Sequence, residues 1–288
     1  MASFWIVLAT FLHSLIYVFV KWAPDNFSFF DILFVRSTYL LTVSSLLFLR
    51  LHQSKMHTAN LGLHIRRIVA GAFAISANII CFRHLPLGTA QALIASSPLF
   101  IALFIRLCRP ECVSSQLKLI GTIVIGFFGV VLVTCPIFQT GCEGYVILAL
   151  LSGLSAAIAS LTMHQLGESG EPICQIVFIF ASGLFIFSGL VFATTSNLSL
   201  ITLFTDQTVA LVGIFTVLAH IAQTLAWGYG KPLLCANLQF SALIFAPLLG
   251  VFLVGESLNI ASMIGITVIL GAEFVSIRLQ FFPTIVKK

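Results

Sequence analysis

The sequence predicts an all-α integral membrane protein, with ten transmembrane helices laid out as two inverted five-helix repeats. Three observations carry this prediction. The 288-residue chain is 59% hydrophobic and 8% charged, with a mean hydropathy of +1.12. An average globular domain is about 25% charged, so this chain lacks the polar groups to cover a surface facing water. Its apolar residues gather into ten runs, each close to the roughly 20 residues that a helix needs to cross about 30 Å of hydrocarbon. Finally, the stretch Leu85–Leu107 has an echo at Lys231–Glu256, and such self-similarity marks a unit written twice.

The first run, Ser3–Val20, has no basic residue ahead of it and no small-x-small site at its end, so it reads as a retained helix and not a signal peptide. Phe29–Leu49 follows, with Arg36 well inside it, and then Ile68–Leu85. The fourth run, Leu87–Leu107, is opened by Pro86 and Gly88 and interrupted by Ser96, Ser97 and Pro98. Leu117–Val133, rich in glycine, closes the first repeat, residues 1–138. Tyr145–Met163, Ile173–Ala193 and Val209–Tyr229 open the second repeat, residues 143–288. The ninth run, Leu233–Val254, repeats the fourth: a Pro-Leu pair, small and polar residues, an Ala-Pro-Leu turn, then a Leu/Phe-rich half, with Pro247 in the place of Pro98. Ile260–Ile277 completes the set. None of the runs alternates polar and apolar residues as a barrel strand does. Five spans per repeat is an odd number, so the second repeat enters the membrane upside down, a recurring design that holds substrate near the midplane between the halves.

Orientation follows from lysine and arginine. With a cytoplasmic N-terminus, the inner loops and tail hold Arg50, Lys55, Arg66, Arg67, Arg106, Arg109, Lys118, Lys231, Arg278, Lys287 and Lys288, while the outer loops hold only Lys21 and Arg83. This is the positive-inside bias. It places both termini in the cytoplasm, as for a bacterial-type cell (inner) membrane. It also accounts for the net charge of +5, so no nucleic-acid partner is implied. Cys108 and Cys112 are too poorly accompanied for a zinc site, and neither a metal nor a cofactor is expected. Cys135 and Cys142 fall in one outer loop, where an oxidising compartment permits a disulfide. Nothing in the sequence specifies an oligomeric state.

The informative residues are polar ones at membrane depth. Thr10, His13 and Tyr17 recur at i, i+3 and i+7 and share one helical face, and His220, Gln223 and Trp227 repeat that spacing in the eighth span. His13 and His220 both fall near span centres, as do Ser76, Ser96, Ser97 and Ser155. Polar groups in hydrocarbon are expensive unless partnered, so each either bonds a neighbouring helix or lines a wet cavity. The substrate-binding candidates are His13, Tyr17, Ser76, Asn78, Gln91, Ser96, Ser155, His220, Gln223, Trp227 and Asn237; Pro98 and Pro247 are the candidate hinges. Neutral imidazoles from the two halves would donate and accept hydrogen bonds, with Tyr17 and Trp227 supplying stacking area. Proton coupling through these rings has less support, because no acidic residue lies at that depth in the same spans. Arg36 is the one cation expected to be buried.

The paired helices around Pro98 and Pro247, the dipeptide Gly255–Glu256 and the Ile-Gly run after it resemble EamA-type members of the drug/metabolite transporter superfamily. The resemblance covers the whole chain, although the first copy has Pro110–Glu111 where the second has Gly255–Glu256. It implies a secondary carrier of a small molecule working by alternating access, and an arginine such as Arg36 is usual in that family. The cavity residues themselves suit a small amphipathic or zwitterionic metabolite, such as an amino acid or a base-containing compound. The alternative class is an integral-membrane enzyme such as a lipid acyltransferase, for which only His52, His57 and His64 with Arg50, Lys55, Arg66 and Arg67 approximate a cluster. No Walker loop, HExxH or nucleophile elbow occurs. The charge bias predicts that reporters fused after Leu61 and after Lys288 read as cytoplasmic and one after Asn197 as external. Termini found on opposite sides would overturn the ten-span arrangement.

Overall fold

The computed structural model describes residues 2–51, 60–108, 117–134, 143–196, 198–257 and 260–281. Among these, all regular structure is helical. Helices α1 (Ala2–Trp22), α2 (Phe29–Leu51) and α3 (Leu61–His84) are continuous, whereas the fourth apolar run is broken into α4 (Leu87–Ile94) and α5 (Ser97–Cys108). After α6 (Leu117–Thr134) come α7 (Glu143–Glu168), α8 (Ile173–Thr195), a short α9 (Leu200–Thr205) and α10 (Gln207–Tyr229). The ninth run stays helical but changes its winding: α11 (Pro232–Leu238), a 3-10 turn (Gln239–Ser241), α12 (Ala242–Leu249) and a π-helical turn (Gly250–Val254), followed by α13 (Ile260–Phe281). Among the described residues, seven segments are long and apolar enough to cross a membrane: α1, α2, α3, α7, α8, α10 and the stretch Leu234–Val254. Cys112, Cys135, Cys142, His52 and His57 lie outside the described residues.

Two boundaries differ from the sequence expectation. Helix α3 begins at Leu61 and not at Ile68, so Arg66 and Arg67 belong to a helix and not to a loop. Its first turns are apolar on the outward face, with Leu61, Ile65 and Val69 exposed one turn apart, while His64 and Arg67 are buried on the opposite face. An average over that window hides both faces. The second difference is α9, whose first turn is capped by the Ser199 hydroxyl accepting from the Thr202 N–H at 3.2 Å; Asp206 then caps α10 through the Val209 N–H at 3.0 Å.

The main helix pairs join the part of the chain before residue 135 to the part after 143. Helix α1 packs along α10, α3 along α7, α2 along α8 and α6 along α13, while α4 meets α12 and α5 meets α11. Large apolar side chains such as Phe4, Leu190, Phe252 and Ile260 point outward, as a lipid-facing surface requires. Lipid tails are as apolar as leucine, so the helices associate through close packing and not through hydrophobic exclusion.

Each end of the bundle is fastened by polar contacts. At one end, Gly255 in the left-handed region (φ 78°) stops the π-helical turn and folds Glu256 back onto the start of α4. There the Glu256 carboxylate accepts from the Leu87 N–H at 2.9 Å, at the positive pole of α4. It also pairs with Lys21 of α1, whose ammonium donates to the Leu85 carbonyl at 3.2 Å. At the other end, His64 of α3 meets Glu171 at 2.8 Å, Arg66 donates to Thr162 and Gln165 of α7, and α7 and α10 touch backbone to backbone. A Cβ on Gly167 would lie 2.5 Å from the Gly228 carbonyl oxygen, inside van der Waals contact, so Gly167→Ala must push the two helices apart. The expected cost is about 1–3 kcal/mol, read as a lowered melting temperature in detergent. Gly62→Ala, where a Cβ meets nothing within 4 Å, should leave the melting temperature unchanged.

Candidate functional site

A cavity of about 140 Å³ lies between the two parts of the chain, comparable with cavities near 150 Å³ that admit a benzene-sized molecule. Its walls come from α1, α3, α4 and the α4–α5 break on one side, and from α7, α8, α10, the 3-10 turn and α12 on the other. The helical face anticipated on α1 is present: Thr10, His13 and Tyr17 all line it. Thr10 is tied to Ser241 by a 2.9 Å hydroxyl contact. The Nδ1 of His13 lies 2.8 Å from the Ala9 carbonyl; a carbonyl only accepts, so Nδ1 carries the proton and a neutral ring keeps Nε2 as an acceptor. His220 of α10 reaches the same space, its ring centroid 5.8 Å from that of His13 and 5.4 Å from that of Phe180. Its Nε2 is buried without a hydrogen-bond partner.

A chain of hydrogen bonds fixes one wall. The Asn78 amide of α3 donates to the Tyr17 hydroxyl at 3.1 Å and accepts from Ser152 of α7. Tyr17 stacks on Phe82 with centroids 3.8 Å apart, and the Arg36 guanidinium carbon lies 5.9 Å from the tyrosine centroid on α2. Arg36 is fully buried, and none of its nitrogens meets hydrogen-bond geometry.

Of the candidates from the sequence, His13, Tyr17, Asn78, Gln91, His220 and Gln223 line the cavity together with Pro98. The others sit elsewhere. Ser76 bonds the Ala72 carbonyl of its own helix at 2.8 Å. Ser96 is buried at the α4–α5 break against Gly153 of α7, its hydroxyl without a partner. Ser155 is half-buried off the cavity wall, whereas Ser160 of the same helix lines it. Asn237 is buried at the end of α11. Trp227 continues the face of His220 and Gln223, yet it packs with Ile6, Met163 and Cys235 in a separate apolar cluster. Ile6 and Met163 themselves line the cavity, so the indole lies behind its wall, next to the close approach of Gly167 to Gly228. Pro247 packs on α4, where a Cβ at Gly88 would come within 3.1 Å of its ring.

The residue that sequence reasoning missed is Arg67. It was assigned to a loop, but it is 2% exposed and lines the cavity, donating to the Ile176 carbonyl at 2.8 Å with its guanidinium carbon 4.7 Å from the Phe180 ring centroid. Arg36 is therefore not the only buried cation. The available signal was the outward stripe Leu61, Ile65, Val69, which extends α3 past the apolar run. Gln239 on the 3-10 turn was also missed; its side-chain oxygen is buried without a partner. His64, which the enzyme alternative would draw on, is taken up by Glu171. Among the described residues no group of three or more His, Cys, Asp or Glu is placed to hold a metal ion.

Comparison with known proteins accords with this architecture. Residues 1–135 match the EamA-like transporter family. The chain is 27% identical over 176 residues to the pseudopaline exporter CntI of Pseudomonas aeruginosa, an alignment that spans 60% of each protein. It is 23% identical over 284 residues to an uncharacterized transporter of Helicobacter pylori, covering 92% of this chain and 90% of that one. It is 27% identical over 206 residues to a riboflavin transporter of Brucella anthropi, covering 66% and 70%. A crystal structure at 15% identity superposes with a TM-score of 0.73 over 96% of both chains, a likeness of fold alone. With its paired interrupted helices, its glycine-glutamate turn and these relatives, the chain is similar to the EamA-like transporter family, whose model matches a little under half of it.

Proposed function

We propose that the protein is a secondary transporter that carries a small amphipathic or zwitterionic metabolite across a cell membrane by alternating access, through ten spans arranged as two inverted repeats. The observation that carries this reading is a cavity walled by both parts of the chain, with His13 and His220 meeting across it. The helix contacts support the repeat. If α1, α2, α3, α4–α5 and α6 correspond to α7, α8, α10, α11–α12 and α13, a two-fold operation exchanges the α1–α10 contact with the α7–α3 contact. It exchanges the α4–α12 contact with the α11–α5 contact and maps α2–α8 and α6–α13 onto themselves, and all of these contacts are present.

The two fastened ends supply what alternation requires. Opening one side would separate Lys21 and Leu87 from Glu256; opening the other would separate α3 from Glu171 and from the end of α7. The break at 95–96 and the 3-10 turn leave the fourth and ninth spans jointed beside the cavity, with Pro98 and Pro247 as the hinges. Relatives named for pseudopaline and for riboflavin agree with a small-molecule cargo.

The test is comparison of metabolites in cells and medium with and without expression, followed by counterflow of the identified compound in proteoliposomes. Absence of any protein-dependent movement would refute the reading. In the same assay His220→Ala should weaken binding of that compound by about 1–3 kcal/mol, and His220→Gln, which keeps a donor and an acceptor, should lose less. Unchanged affinity with a lowered melting temperature would make the two histidines structural.

A further inference from the structure

We propose that the cavity takes its substrate by a carboxylate, held by Arg67, so that the bound molecule is a small organic acid with a flat or apolar body. The inference deepens the transporter reading by naming the substrate class, though binding itself does not depend on transport. Arg67 reaches the cavity with donors to spare. One terminal nitrogen bonds the Ile176 carbonyl, the other lies 3.5 Å from the Thr224 hydroxyl, and Nε has no acceptor. A guanidinium carries five N–H donors in a fork that matches a carboxylate edge.

The electrostatics point the same way. No aspartate or glutamate is among the cavity-lining residues, and neither Arg36 nor Arg67 has an ion-pair partner among the described residues. Asp31, the buried acid on α2, is turned to the Ser28 N–H at 2.8 Å. Two buried guanidinium groups thus lie around one space without a carboxylate partner, Arg36 against the Tyr17 ring and Arg67 in the wall. Such charges at membrane depth are expensive unless neutralised, and a carboxylate entering the cavity supplies the missing countercharge. The His220 Nε2, buried and unpartnered, offers a further polar contact. Ile75, Met163 and Phe180 form an apolar lining for the body of the acid.

Acid and amide pairs of one shape isolate the charge: benzoate with benzamide, phenylacetate with phenylacetamide, and phenylpropionate with phenylpropionamide, each measured by thermal shift and calorimetry on the purified full chain. The acids should stabilise the protein at millimolar concentration and the amides should not. Arg67→Gln should weaken acid binding by roughly 10- to 100-fold, and Arg67→Lys, which keeps the charge, should lose less. Should Arg67→Gln fail to fold, the acid–amide contrast on the unaltered chain and the Arg67→Lys affinity decide. Equal effects of acids and amides, no effect of any acid, preference for phenyl phosphate over the acids, or unchanged acid affinity in Arg67→Gln would each overturn the proposal. Acid binding without flux in proteoliposomes would sink the transport reading and leave this site standing. Flux of a neutral compound uninhibited by the acids would do the reverse.

Discussion

Hydrocarbon offers no hydrogen-bond partner, and the arrangement of this chain follows from that constraint. Helices satisfy their own backbones, but side-chain polar atoms must turn inward or bond their own helix. Ser37, Thr38, Ser45 and Thr216 take the second course, each donating to a carbonyl three or four residues back. Thr10, Asn78 and Ser152 also reach across to other helices. Among the described residues, Asp31, Arg36, His64, Arg67, Ser96, His220, Trp227 and Gln239 keep buried nitrogens or oxygens without partners. Arg67, His220 and Gln239 line the cavity, and Arg36 lies behind its tyrosine wall. The cavity is thus one place where the protein leaves donors and acceptors that an entering molecule can satisfy.

The same constraint shapes how the two parts of the chain meet. Each main contact runs between them, through small residues that let backbones approach or through polar links such as Lys21 to Glu256 and His64 to Glu171. The Glu256 carboxylate has three functions at once: it caps α4, neutralises Lys21 and ties the end of the ninth run to the start of the fourth. A single side chain thereby couples helix termination, charge balance and closure of one end.

Much of this was legible in the sequence. Composition and run length mark the membrane class, and the repeated segments mark the two irregular helices, although Pro98 sits just after a break and Pro247 lies within α12. The i, i+3, i+7 pattern on α1 led correctly to the cavity wall because a helical period depends only on local geometry. The same pattern on α10 failed at Trp227, where periodicity puts the ring on the right face but cannot report that Gly167 brings α7 against that turn. Arg67 was lost for a different reason: a charge next to an apolar run looks like a loop residue to any average over hydropathy. Only the position of the exposed leucine and isoleucine one turn away reveals that the helix continues with its charged face inward.

The ninth apolar run holds a 3-10 turn at Gln239–Ser241 and a π-helical turn at Gly250–Val254, on either side of Pro247. A 3-10 turn winds about 20° more per residue than an α-helix, and a π turn is wider and winds less. Exchanging i→i+3 for i→i+4 bonds over the three residues of the first turn would rotate everything beyond it by about 60°, without breaking the chain of helical hydrogen bonds. The segment thus holds one over-wound and one under-wound thread in series, and a change of bond partners beside the cavity would turn the part that carries Glu256 at the far end.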